Sequence, residues 1–407
     1  MGDKMHQTIK NKIIIITLLI TVIIISVLLR LKGIYFESID MTKCLYNWFD
    51  FLKNNGGLRA LKYEIGDYNI PYMTILAILS YIPAKPIVLI KAVSIIFDYL
   101  LAISCVKLVK EILKEKYDER IGILVFSIIV LLPTVILNSS YWGQCDSIYT
   151  TFIIISLIYL IREKYLTSFI FLGVSFAFKL QFIFILPLYV LYFLDKRKFS
   201  IYYFIIIPIV NLLMCTPAML LGKNVLECIK IYFNQTSEYN YKISLNFPGI
   251  YNLFYDTDEF SDIITPNNYL PQIMILVLAI IFIGTAVYVL IKQTNFDSKN
   301  IIEIALWSVI ISTFLLPYMH DRYMFMADIL SIIYCVINGR KKVYIPIIIN
   351  LCSTYTYIVF LSRTKILFDN EIKIFALMNC VIVGILTASM FKNLNQILKK
   401  ENKKAIA

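Results

Sequence analysis

Apolar residues in this chain come in long unbroken runs instead of alternating with polar ones. The first covers residues 13–29; later runs cover 86–106, 121–137, 147–161, 166–178, 182–194, 199–221, 271–291, 301–318, 322–338, 344–361 and 373–391. A helix of about 20 apolar residues matches the hydrocarbon core of a bilayer, so the pattern predicts about twelve transmembrane helices. A membrane barrel would alternate apolar and polar positions, which these runs do not. Several runs are short for a span, and those beside Lys179 predict half-helices or one bent pair. Residues 69–84 are also apolar, but counting them as a span inverts everything downstream. They are expected to form a re-entrant or interfacial helix on the outer side.

Charge sets the orientation. Lys4, Lys10 and Lys12 precede the first run and no small-residue cleavage site follows it, which predicts a retained first helix with a cytoplasmic N-terminus. Segments 107–120, 162–165, 195–198, 292–300, 339–343 and the C-terminal tail then lie inside and hold most of the Lys and Arg. The short outer loops hold only Lys179, Arg322, Arg363 and Lys365. Two large loops, 30–85 and 222–270, lie outside. In the first, Leu45, Trp48, Phe49, Phe51 and Leu52 make an amphipathic stretch suited to the membrane surface. Without repeats or linkers, residues 1–407 read as one membrane domain with no separate soluble part and both termini in the cytoplasm. The expected location is the cytoplasmic membrane, with membrane lipids as neighbours.

Composition narrows the class. Hydrophobic residues make up 59% of the chain and charged residues 16%, against about 25% charged in soluble domains; mean hydropathy is +0.75. Soluble, fibrous and disordered proteins are excluded. The net charge of +12 is carried by the inner loops and calls for no nucleic-acid partner. Eight cysteines include no CxxC pair. Cys44, Cys145 and Cys228 fall in loops without an evident disulfide framework, while Cys215 and the others fall in or near apolar runs. Only two histidines are present, His6 and His320, which argues against a multi-histidine metal site.

The candidate chemistry sits at the outer ends of the spans. Polar groups there are costly beside lipid and are usually functional or paired. Asn138-Ser139-Ser140-Tyr141-Trp142-Gly143-Gln144-Cys145-Asp146-Ser147-Ile148-Tyr149 fills one short outer turn, with Gly143 allowing close backbone approach and Asp146 opening the next helix. Trp142 offers a stacking face for a sugar or an interfacial anchor. Asp40 lies about a dozen residues beyond the first span, and two outward acids such as Asp40 and Asp146 can form a base and its orienter. Asp67, Tyr68 and Asn69 end the same loop, just before Pro71 starts a helix. Lys179, in Phe178-Lys179-Leu180-Gln181, must snorkel or bind an anion. In Leu316-Pro317-Tyr318-Met319-His320-Asp321-Arg322-Tyr323, His320 and Arg322 could clamp a phosphate while Asp321 holds one of them. Asp98 and Asp328 lie inside apolar runs and require partners.

These motifs together resemble GT-C type glycosyltransferases, and most nearly the bacterial membrane proteins related to GPI mannosyltransferase II. Tyr141 to Tyr149 looks like the WGQxDxxY signature. Gly66 to Tyr72 looks like GxYNPPxY, with Ile70 in place of its first proline. Ile96-Phe97-Asp98 looks like a span-borne FD, and Lys179-Leu180-Gln181 like KxQ. Leu316 to Tyr323 looks like LPxMHERY, with Asp321 in place of Glu. Five ordered motifs spread over most of the chain carry the resemblance. It implies an all-α, polytopic GT-C fold of ten to fourteen spans. It also implies an outer-face enzyme that takes sugar from a polyprenyl-phosphate donor with inversion. A carboxylate in the first outer loop commonly serves as general base there, and Asp40 occupies that place. Some members carry an acidic pair at that point; here Met41 follows Asp40.

The expected activity is transfer of a hexose, mannose first among them, from a polyprenyl-phosphate sugar to a glycan, lipid or protein acceptor. Asp40 and Asp146 would be catalytic. Lys179, His320 and Arg322 would meet the donor phosphate. Trp142, Gln144, Gln181, Asp67, Tyr68, Asn69 and Asp321 would hold sugar or acceptor. A divalent ion, Mg2+ or Mn2+, shared by Asp40 and Asp146 stays open alongside a metal-free site. Two other classes remain: a lipid or sugar transporter, which should carry its polar groups at the membrane midplane, and a non-catalytic partner of another membrane glycosyltransferase, which should not need Asp40.

Overall fold

The computed structural model describes residues 2–237, 241–255, 263–264, 269–292, 294, 296–363 and 371–406. Helices dominate it. Among the described residues six helices are long and apolar enough to cross a membrane: Ile13–Gly33, Pro86–Lys116, Leu270–Lys292, Ser298–Leu315, Arg340–Ser362 and Glu371–Asn395. A seventh is a bent pair, Glu119–Leu131 and Pro133–Trp142, whose halves meet at 50°. The remaining apolar runs form shorter helices: Asp146–Ile161, Tyr165–Phe178, Leu186–Lys196, Ile206–Met214 and Phe325–Asn338. The segment expected near 69–84 is the ten-residue helix Ile70–Leu79. At about 1.5 Å per residue it is roughly half as long as a bilayer core.

The bends have local causes. Pro133 has no N–H to offer and forces Leu132 into an extended conformation, so the ladder breaks between the two halves of the bent pair. The second half then widens into a π-helix, Leu137–Trp142, which stops at Gly143 with φ +83°. The next run breaks at Lys179. That residue is extended (φ −150°, ψ 139°), and the chain resumes as a 3-10 turn, Leu180–Ile185, before Pro187 helps start the next helix. Close approach is also coded locally: a Cβ on Gly173 would meet Val210 Cβ at 2.7 Å, so the helices Tyr165–Phe178 and Ile206–Met214 pack there only around a glycine.

Ser298–Leu315 is the central helix, with 89% of its apolar window buried, whereas the first helix is peripheral, with 11% buried. Asp146–Ile161 lies between Pro86–Leu113 and Tyr165–Phe178. One departure from an all-α chain appears in the long connection between residues 222 and 270. After the helix Val225–Ser237 it forms β1 (Lys242–Leu245), which pairs antiparallel with β2 (Ile263–Ile264) and parallel with β3 (Met319–His320). The β1–β3 register sets Ser244 against Met319 and Leu245 against His320. The loop is thereby tied to the segment that carries Arg322.

Candidate functional site

The π-helix and the glycine stop bring the turn after Pro133 back over itself. Gln144 N donates to Asn138 O at 2.9 Å, and Asp146 begins the next helix. Gly143 cannot be replaced cheaply: its φ is left-handed, and a Cβ would meet Met41 Cε at 2.6 Å. That contact is one seam between the turn and the segment that follows the first helix. Another is Ser38, whose hydroxyl donates to Trp142 O at 2.7 Å and accepts from Met41 N at 3.1 Å. Asp40 lies between these two anchors.

Three side chains address one oxygen of Asp40. Trp142 Nε1 donates to Oδ2 at 2.7 Å, Gln144 Nε2 donates to it at 2.6 Å, and Arg322 Nη1 stands 3.7 Å away. Oδ1 carries none of these bonds. The residue, a quarter exposed, lines a cavity of about 300 Å³ together with Asp67, Tyr68, Gln144, Asp321 and Arg322.

Asp146 is buried and more fully held. Lys179 Nζ lies 2.5 Å from Oδ1, Asn138 Nδ2 donates to Oδ2 at 2.6 Å, and Arg322 Nε stands 3.8 Å from the same oxygen. Asn138 also donates to the Tyr357 hydroxyl at 2.9 Å. Lys179 reaches Gln144 Oε1 at 3.3 Å, and Tyr68 OH donates to that oxygen at 2.5 Å. Burial pushes the Tyr68 hydroxyl well above its ordinary range, so it remains a neutral donor. Lys179, Gln181 and Asn69 border a smaller adjoining cavity of about 100 Å³, which shares Asp67, Tyr68, His320 and Arg322 with the larger one.

Arg322 is the centre of the arrangement. Its guanidinium lies over the Trp142 ring at 5.2 Å and between the two carboxylates, yet among the described residues none of its five N–H donors makes a hydrogen bond. Beside it, His320 Nδ1 sits 3.1 Å from Asp321 Oδ1. Burial pushes the Asp321 carboxyl up, and the charges of His320 and Arg322 pull it only part of the way back. Thr356 fixes this turn by donating to Asp321 O at 2.9 Å.

Beneath the turn lies a buried polar layer. Arg30 Nη2 is 2.8 Å and Nε 3.0 Å from Asp98 Oδ2, which also accepts from Ser139 at 2.6 Å; Ser147 donates to Oδ1 at 2.5 Å. Arg30 Nη1 donates to Val130 O at 2.9 Å. Asp98 therefore holds the first helix to the residues flanking Asn138 and Asp146. Lys91, fully buried, donates to Gly33 O at 2.9 Å and Phe36 O at 2.6 Å, which pins the chain just before Ser38. Asp328 accepts from Ser353 at 2.8 Å.

Sequence reasoning named Asp40, Asp67, Tyr68, Gln144, Asp146, Lys179, His320, Asp321 and Arg322 from four distant segments, and the fold brings them to one place. Two expectations change. Trp142 has no free face for a sugar, because Phe360 stacks on it at 4.0 Å while Arg322 covers it at 5.2 Å. It is fully buried and acts through its N–H on Asp40. A divalent ion shared by Asp40 and Asp146 also does not fit. Arg322 already stands between them, both Asp146 oxygens are engaged, and among the described residues no three His, Cys, Asp or Glu side chains gather at metal-binding spacing.

Sequence reasoning missed Tyr241, Lys242 and Asn246 from the connection 222–270 and Arg363, which line the cavity beside Asp40. It also missed Lys91, although a lysine inside the run 86–106 was a signal in itself. No family model matches this chain, and no curated protein matches it either.

Proposed function

We propose that the chain is an inverting GT-C type glycosyltransferase of the cytoplasmic membrane, with about twelve spans, cytoplasmic termini and its cavity on the outer side. It transfers a hexose, mannose first among them, from a polyprenyl-phosphate sugar to an acceptor hydroxyl. The observation that carries this reading is Arg322: a guanidinium held over Trp142, bordering the larger cavity, with its hydrogen-bond donors unused among the described residues. Such a group is built to take an anion with planar, paired oxygens. His320 stands on the same wall and adds a second donor.

In this reading each group has one task. The acceptor hydroxyl attacks the sugar carbon from the face opposite the phosphate. The carbon–oxygen bond to phosphate breaks, and the electron pair leaves with the prenyl phosphate. Asp40 takes the acceptor proton on Oδ1, while Trp142 and Gln144 hold Oδ2 and so fix the direction of the free oxygen. Arg322 neutralises the leaving phosphate, which needs charge compensation more than a proton. Asp146 pairs with Lys179, which in turn reaches Gln144, and stands beside Arg322; it positions these groups instead of reacting. Against a transporter, two of the charges within the apolar runs, Arg30 and Asp98, are locked to each other and to serines. A non-catalytic partner would have no use for a carboxylate with one oxygen fixed and one open.

The test is transfer of labelled sugar from a synthetic polyprenyl-phosphate donor by purified protein. Asp40→Asn is expected to lower the rate by about 10²–10⁴-fold. Equal rates for both proteins would remove Asp40 as the base; no transfer by either, across hexoses and acceptors, would return the choice to the two other classes.

A further inference from the structure

Four aromatic residues line the cavity beside Asp40: Trp48, Tyr68, Tyr241 and Phe360. Three of them are already engaged. Phe360 stacks on Trp142 at 4.0 Å, with 16° between the planes. Tyr68 touches Trp48 and Tyr72, each at 5.1 Å, and carries Lys179 over its ring at 5.5 Å. Tyr241 has the Lys242 ammonium 5.9 Å from its ring centre. Trp48 differs. It is half-buried, its one ring contact among the described residues is Tyr68, tilted by 51°, and among those residues its N–H makes no hydrogen bond.

The seat of this indole is coded locally. The helix Tyr46–Asn54 buries Phe49 and Leu52, while Trp48 and, one turn before it, Cys44 and Leu45 line the cavity. Gly66 makes room for the ring: its φ is +55°, and a Cβ there would run into Trp48 Cε2 and Nε1. Only a glycine lets the indole lie against that backbone. Asp67 follows directly and lines the same cavity.

We propose that Trp48 is the stacking platform for the acceptor, and that the acceptor is a saccharide. The proposal rests on the transferase reading above for the role of Asp40. A pyranose ring has an apolar face of C–H groups bounded by hydroxyls. The face gains by covering an indole, and the hydroxyls need partners such as a carboxylate or an amide. Trp48 supplies the first, and Asp67 and Gln144 stand on the same cavity for the second. Neither a lone lipid alcohol nor a peptide hydroxyl presents such a face. Trp48 borders the cavity that holds Asp40 and not the smaller one beside Lys179. It therefore stands with the base that receives the acceptor proton, away from the lysine end of the site. The role that Trp142 cannot fill with both faces covered falls to this residue.

Trp48 also reports on itself. Of the three tryptophans, Trp142 and Trp307 are 0% exposed, so a ligand in the cavity is read through Trp48. The purified full chain in lipid nanodiscs is titrated, without donor, with methyl glycosides and short oligosaccharides of the common hexoses. The expected result is a saturable shift of emission to shorter wavelength with protection from acrylamide, both lost in Trp48→Phe. In transfer kinetics Trp48→Leu should raise the acceptor KM by about 2–10-fold with kcat and the donor KM little changed, and Trp48→Phe, which keeps a ring, should stay nearer the wild type. Transfer to a lipid or peptide hydroxyl, with no emission response to any glycoside, would overturn the proposal and leave the transferase reading standing. Quenching by brominated lipid that Trp48→Phe removes would also overturn it, by placing the indole in the bilayer. A saturable response in protein that transfers no sugar would keep the platform and remove the transferase reading; absence of both response and transfer would overturn the two together.

Discussion

The indole N–H of Trp142 donates to Asp40 Oδ2 at 2.7 Å, across 102 positions of sequence. A buried aromatic residue thus serves as an orienting donor for an acid in another loop, and its ring faces are occupied by Phe360 and Arg322. Trp142→Phe keeps the stack and removes only the donor. A hydrogen bond to a charged group is worth about 1.5–3 kcal/mol, so transfer should fall by roughly 10–100-fold in kcat with little change in KM. A change confined to KM would mean that the indole touches sugar after all.

Arg322→Lys keeps the charge and loses the fork and the stacking plane. By analogy with removal of a single transition-state donor, kcat should fall by about 10²–10³-fold, and inhibition by free prenyl phosphate should weaken in parallel. Steady-state kinetics with the product added would read both. Loss of rate with unchanged product inhibition would place the phosphate elsewhere.

The Arg30–Asp98 pair, 2% and 0% exposed, has no access to water. Asp98→Asn leaves a buried guanidinium short of its counter-charge and should destabilise the protein by about 3–5 kcal/mol. Replacing both partners, Arg30→Met with Asp98→Leu, should recover much of that loss, since the pair itself contributes little beyond its own desolvation cost. Thermal unfolding in detergent would rank the single and double variants; a double variant as unstable as the single one would show that the serines around Asp98 depend on its charge.

With Arg322 between the two acids, transfer should proceed in the presence of a strong chelator at an unchanged rate. Restoration of a lost rate by added Mg2+ or Mn2+ would require Arg322 to move away and a metal to take its place between Asp40 and Asp146.

Much of this was legible because each signal was local. The apolar runs fall on helices, and the turn from Asn138 to Asp146 declares itself by crowding amides, hydroxyls and a carboxylate into one short connection. Asp40, Lys179 and Arg322 could be placed on the same side by charge alone. What stayed hidden was long-range. Nothing in Lys242–Leu245 announces a strand, because four residues show little period and its parallel partner at Met319–His320 lies more than seventy positions away. The pairing of Arg30 with Asp98 was equally invisible, since each looked like a separate problem at the edge or middle of its own run. The shut faces of Trp142 could not be foreseen either: Phe360 is an ordinary apolar residue until the helix Tyr344–Ser362 is placed beside the turn.

The first helix buries little of its apolar surface and joins the bundle through polar contacts: Ser26 on Val130 O, Lys91 on Gly33 O, and the charged side chain of Arg30 on Asp98. That side chain has no anion to meet until residue 98 has been made, and no full set of acceptors until Val130 and the serine-bearing turn follow it. A helix whose counter-charge and acceptors are made later in the chain is expected to dock only when the turn behind it exists. Assembly then carries its own checkpoint: a chain released before residue 147 would leave its leading helix undocked, exposed to the proteases that patrol the membrane. Site-directed crosslinking of stalled chains of increasing length should register the contact with the first helix only after that turn has emerged.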